Sequence, residues 1–98
     1  MNIQAMMKQA QKLQNDMMKV KDEIDKTEFS AESGFVVVKM NGKKEITSLQ
    51  ITPDEDFDIS DMEMLQDMIV LAINNASQKV DKETEEKMGK FSSIPGLF

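Results

Sequence analysis

FVVVKMNGKKEITSLQIT, residues 35–52, is the stretch that decides the fold. On both sides of it apolar residues recur in steps of three and four. Inside it that helical period is lost. FVVVKM (35–40) is β-branched and apolar, with Val36 and Val38 on one face as candidate core residues. Asn41-Gly42 is the strongest short hairpin signal, and the return strand over 44–52 carries Ile46, Leu49 and Ile51. Strict alternation would put Ile46 on the opposite face from Leu49 and Ile51, so a bulge is expected near Thr47–Ser48. Upstream of the break at Gly34, EFSAES (28–33) supplies a first strand with Phe29 and Ala31 inward. The centre of the chain is thus an antiparallel three-stranded meander.

Working outward, residues 2–27 read as one long helix. Ile3, Met6, Ala10, Leu13, Met17, Val20 and Ile24 hold an a/d pattern, and such a seam must be covered by another helix. Beyond the sheet, Pro53 and DEDFD (54–58) end the strands, and Ser60-Asp61-Met62-Glu63 has the form of a capping box opening a helix over 60–88. Its apolar face is Met62, Leu65, Ile69, Ala72, Ala76 and Val80, widened by Met68 and Ile73. After Val80 the helix turns polar, with Lys79–Glu83, Lys82–Glu86 and Glu83–Lys87 spacings in support. Gly89 reads as a C-terminal stop, leaving a tail over 89–98. That tail ends FSSIPGLF, apolar enough to dock on its own chain or on a partner. The order is α-β-β-β-α, a single α+β domain over 1–98 with helices packed on the sheet.

Composition removes most chemistry. The 98 residues contain no His, Cys, Tyr or Trp, which excludes most general bases, nucleophiles and thiolate metal sites. Asp54, Asp56 and Asp58 alternate as in a calcium loop, but Ile59 stands where glycine is needed and Leu65 where a bidentate glutamate is needed. Gly34, Gly42, Gly89 and Gly96 form no phosphate-binding loop. No enzyme, cofactor, metal or small-molecule substrate is expected. No apolar run is long enough to span a membrane and no signal peptide opens the chain, so the expected compartment is the cytoplasm. Ten methionines are unusual: Met6, Met17, Met62 and Met68 fall on predicted buried faces, while Met7 and Met18 lie off the seam and are free for a second contact.

The charges are unevenly placed. The formal charge is −6, yet residues 1–26 hold five lysines against four acids, whereas residues 27–78 hold three against ten. All twelve cations are lysine, so any anion is met by point charges rather than by bidentate guanidinium groups. At about 100° per residue, Lys8, Lys12, Lys19 and Lys26 fall within about 40° of one another, opposite the apolar seam. That stripe suits a polyanion. The run Lys12, Asp16, Lys19, Glu23, Lys26 also fits the alternating ladder of an ordinary solvated helix, and only Lys8 lacks an acidic neighbour one turn away.

MMKQAQKLQ at the start, the ESG turn, VVKMNG, the return strand through ITP (51–53), DMEMLQDMIVLAINNASQKV (61–80) and the ending PGLF occur in one order. Together they resemble the YbaB/EbfC family of bacterial nucleoid-associated proteins over nearly the whole chain. The resemblance implies a homodimer of α-β-β-β-α protomers with long helices projecting like the arms of tweezers. It also implies binding of double-stranded DNA with little sequence preference, in organising the nucleoid and affecting gene expression. By position the DNA-facing residues would be Lys8, Lys12 and Lys19, with Lys79 and Lys82 on the second helix. Ile3, Met6, Leu13, Met17, Val20, Val36, Val38, Leu65 and Ile69 would form the core and the dimer seam. The chain departs from many members in having no arginine and no glycine-rich N-terminal extension. A second reading stays open: a dimeric adaptor or holdase that uses the same arms, Met7, Met18 and the apolar tail as a binding surface.

Overall fold

The computed structural model describes residues 2–92. Helix α1 spans Ile3–Lys26, strands β1, β2 and β3 span Phe29–Ser33, Val36–Met40 and Ile46–Ile51, and helix α2 spans Met62–Ser92 after a single 3-10 turn at Ile59–Asp61. Each strand is antiparallel to its neighbour in the order β1-β2-β3. This is the α-β-β-β-α arrangement expected from the period changes. α1 starts where the Asn2 side chain accepts from the Ala5 amide at 3.2 Å. It stops at Thr27, whose hydroxyl donates to the Glu23 carbonyl at 2.7 Å and whose backbone turns extended.

The sheet register sets the core. Phe29, Ala31, Val36, Val38 and Met40 point to one face and are buried, and α2 lays Ala72, Ala76 and Val80 against them. Two alanines at that contact let the helix backbone approach the sheet closely. Leu65, Met68, Ile69 and Ile73 pack half-buried around this centre. Between β2 and β3, Lys39 faces Ser48 and Met40 faces Ile46, so Thr47 is the extra residue of a bulge. The bulge returns Ile46 to the face that Leu49 and Ile51 share with the core.

α2 covers β1 and β2 but not β3. Ile46, Leu49 and Ile51 therefore lie on the core face yet stay 48%, 46% and 39% exposed. The second half of α2 leaves the sheet and runs antiparallel beside α1: Val80 lines one groove with Ile24, and Phe91 lines another with Leu13 and Val20. The result is a rod of 72 × 18 × 14 Å with a radius of gyration of 19.9 Å. A compact chain of this length would measure about 13 Å.

Three local features differ from the sequence-based expectation. The Asn41-Gly42 hairpin is not a two-residue turn. Asn41 and Glu45 close a three-residue loop (Asn41 N–H to the Glu45 carbonyl, 3.0 Å), and the left-handed residue is Lys44, at φ 64°. Gly42 is instead a point of close approach. Its amide donates to the Asp25 carbonyl at 3.3 Å, and a Cβ there would run into the Ile24 carbonyl. The capping box before α2 is built by Asp58 and Asp61 rather than Ser60 and Glu63, because Asp58 reaches the Ile59 amide at 2.6 Å and starts the 3-10 turn earlier. Lastly, α2 runs through Gly89 to Ser92. Phe91 is buried beside α1, and that burial outweighs a helix-propensity cost of about 1 kcal/mol for glycine. The expectation of a docked apolar tail falls mostly on residues 93–98, which lie outside the described residues.

Candidate nucleic-acid interface

The arm formed by α1 and the second half of α2 carries the cationic residues singled out above. On α1, Ile24 is buried and Leu13, Met17 and Val20 are half-buried, while Lys8, Lys12 and Lys19 are exposed. Five other lysines hold carboxylates: Lys21–Asp25 at 3.1 Å, Lys26–Asp22 at 2.9 Å, Lys39–Glu28 at 3.7 Å, Lys44–Asp81 at 2.8 Å and Lys87–Glu83 at 3.7 Å. Asp22, by hydrogen bond and charge, holds the Lys26 ammonium above its usual pKa.

Lys8, Lys12, Lys19, Lys79 and Lys82 form no such pair among the described residues. The alternating ladder is therefore not realised on the outer arm: Asp16 and Glu23 pair with neither Lys12 nor Lys19, and Lys26 turns to Asp22. Four of the five paired lysines lie near the base of the arm, around the sheet and hairpin; the fifth, Lys87, pairs along α2. On the outer half of α1, Lys8, Lys12 and Lys19 are left without an ion-pair partner among the described residues. An ammonium with no partner is available to a phosphate without first breaking a contact.

The five lysines do not form one cluster. Lys79 donates to the Ser30 carbonyl at 2.5 Å, fastening α2 to β1. It shares a groove with Lys82, Asn75, Gln78, Ala31 and Glu32 at the base of the arm. Because Val80 lies level with Ile24, that pair sits about 25 Å along the arm from Lys8 at 1.5 Å per residue. Lys19 instead shares a notch of about 330 Å³ with Leu13, Asp16, Val20, Lys90 and Phe91. Lys90, whose ammonium lies 5.0 Å from the Phe91 ring centre, joins the arm and was missed from sequence because the helix was ended at residue 88. The steps Val80, Thr84, Met88, Phe91 carry the signal that would have placed it. Lys43, at the hairpin tip, was also passed over; it borders a groove with Lys21, Lys44, Asp25 and Asp81. Among the described residues no group of three or more acidic side chains could hold a metal ion.

This geometry of a two-helix arm on a small sheet has relatives. The description of the YbaB/EbfC DNA-binding family matches residues 1–94. The chain belongs to that family. A nucleoid-associated protein of Ligilactobacillus salivarius (strain UCC118) is 48% identical over 100 residues, covering 99% of this chain and 95% of its own length. One from Clostridium novyi (strain NT) is 50% identical over 103 residues, covering 100% of this chain and 90% of its own. Among solved structures, the uncharacterized protein HP0035 from Helicobacter pylori superposes with a TM-score of 0.75 at 20% identity, over 95% of this YbaB/EbfC chain and 99% of that one. That likeness speaks to the fold. Among the described residues no helix of this family member is long and apolar enough to cross a membrane.

Proposed function

We propose that the chain is a nucleoid-associated protein that binds double-stranded DNA as a homodimer. It clamps or bridges the duplex with little sequence preference and so organises the nucleoid and affects gene expression. The observation that carries this reading is the division of the lysines: those at the base of the arm are mostly paired, while Lys8, Lys12 and Lys19 on its outer half are not. No guanidinium fork is available for base edges, so lysine contacts to phosphates position the protein without reading sequence. Membership of the family and the names of its relatives support the same conclusion.

The dimer is supported by β3. This edge strand offers three large apolar side chains on the core face and an unpaired backbone edge, which a second copy satisfies in one contact. Two protomers present two arms. With three free lysines on each, about six phosphates are neutralised, and log Kobs should fall with log salt at a slope near −5. Fluorescence anisotropy of a labelled random duplex of about 30 base pairs, titrated at about 50 and about 200 mM salt, tests this. The expected result is weak binding that drops by about three orders of magnitude; equal affinity at both salts would contradict it.

One observation favours the second reading, a dimeric adaptor or holdase. Met7 and Met18 are 66% and 60% exposed on the arm. Under that reading a chain truncated after Lys90 loses its protein partners, while the lysine substitutions leave them bound.

A further inference from the structure

Met7 and Met18 lie on a face of α1 that belongs neither to the apolar seam nor to the lysine stripe. At about 100° per residue, Gln4, Met7, Gln11, Gln14, Asn15 and Met18 fill one sector of the helix about 100° wide. All six are exposed, and none of the four amide side chains makes a hydrogen bond among the described residues. Lys8, Lys12 and Lys19 border the sector on one side and the seam borders it on the other. The far flank of the lysine stripe differs. It carries Asp16 and Glu23, and Lys90 and Phe91 of α2 line their notch there with Asp16 and Lys19. Toward the sheet the uncharged sector ends at Asp22 and Asp25, which Lys26 and Lys21 hold. At that end stands Lys43 of the hairpin, in a groove with Lys21 and Asp25, and without an ion-pair partner among the described residues.

We propose that this sector is the part of α1 that enters the major groove of the duplex. Its amides and thioethers meet base edges while Lys8, Lys12 and Lys19 hold the phosphates of one strand. This placement rests on the DNA-binding reading above and goes beyond it in assigning the groove and the residues inside it. Charge selects the face. A groove is walled by phosphates, and of the two flanks of the lysine stripe only this one is free of acid over residues 4–18. Size agrees. From Gln4 to Met18 is about 21 Å along the helix, the rise of about six base pairs, and the major groove admits an α-helix. So does the chemistry. A glutamine or asparagine amide brings both a donor and an acceptor, and every base pair offers partners for them along its major-groove edge. Methionine is a soft, adaptable apolar group that suits thymine methyls. Amides that swivel to meet whichever edge is present favour no single base strongly, in keeping with broad sequence tolerance.

The test compares the parent chain with Gln11→Ala/Gln14→Ala and with Met7→Ala/Met18→Ala. Neither double variant changes the charge, all four positions are exposed, and alanine keeps the helix, which circular dichroism checks. Anisotropy is measured at about 50 mM salt on two labelled duplexes of one sequence. One is ordinary; in the other the cytosines carry glucosylated 5-hydroxymethyl groups, which fill the major groove and leave the phosphates in place. On the ordinary duplex the parent is expected to bind about tenfold more tightly than either variant. On the filled duplex the parent falls to the level of the variants. The salt slope on the ordinary duplex stays the same for all three, because no lysine is removed. Equal affinities of parent and variants on the ordinary duplex, a parent indifferent to the filled groove, or a variant deficit of the same size on both duplexes would each overturn the groove placement. Any of these with salt-sensitive parent binding leaves DNA binding itself standing. No binding by the parent to either duplex overturns both.

Discussion

Gly42 shows how a residue can sit in the expected place for an unexpected reason. Asn41-Gly42 signals a turn because glycine tolerates positive φ, yet here the left-handed residue is Lys44. Gly42 is needed because the hairpin tip rests on the end of α1, where an added Cβ would meet the Ile24 carbonyl and lie 2.8 Å from the Asp25 Cα. Those contacts are backbone and cannot swing aside. Gly42→Ala should therefore cost about 2 kcal/mol, read as a lower urea midpoint with an unchanged slope. Lys44→Gly should act oppositely. Relief of a left-handed non-glycine residue is worth about 1 kcal/mol, and the Lys44–Asp81 pair it removes is about half exposed and contributes less than that. A urea midpoint for Lys44→Gly below that of the parent chain would contradict this account. The turn was legible in the sequence; which of its residues bears the strain depends on a helix end that the turn's own residues do not reveal.

At the scale of elements, period and turn residues placed the two helices, the three strands and a bulge near Thr47–Ser48. They did so because each follows from local spacing against one buried face. The end of α2 did not follow, since a lone glycine stops a helix only when nothing beyond it is worth burying. Phe91 is 2% exposed and holds the end of α2 to α1. Phe91→Ala should cost about 3 kcal/mol and speed hydrogen exchange in the last two turns of α2 and the facing turns of α1. β3 makes the converse case. Its side chains were legible as inward-facing, but which strands the helix would cover was not. If a second copy covers it, Leu49→Glu together with Ile51→Glu should yield a folded monomer by light scattering. The helical circular dichroism should be retained, because within one chain both residues are already exposed.

For the whole molecule, the question is how a chain of formal charge −6 meets a polyanion. Ten of the eighteen acids lie in residues 27–78, in the sheet and around the start of α2, while Lys8, Lys12 and Lys19 lie on the arm, displaced along a body 72 Å long. At about 0.15 M salt the screening length is about 8 Å, so a duplex at the arm tip feels the lysines and little of the acidic body. The lysine stripe was visible in the sequence, but the alternative of a self-neutralising ladder was equally visible. Only side-chain geometry separates them, by turning Lys26 to Asp22 and leaving Lys12 and Lys19 alone. The most direct test of this account is anisotropy of the labelled random duplex with the Lys8→Glu/Lys12→Glu/Lys19→Glu variant beside the parent chain at about 50 mM salt. The account predicts that the folded variant, still a dimer, loses binding by at least about two orders of magnitude. Parent-like affinity in the variant would place the DNA elsewhere and contradict the central claim.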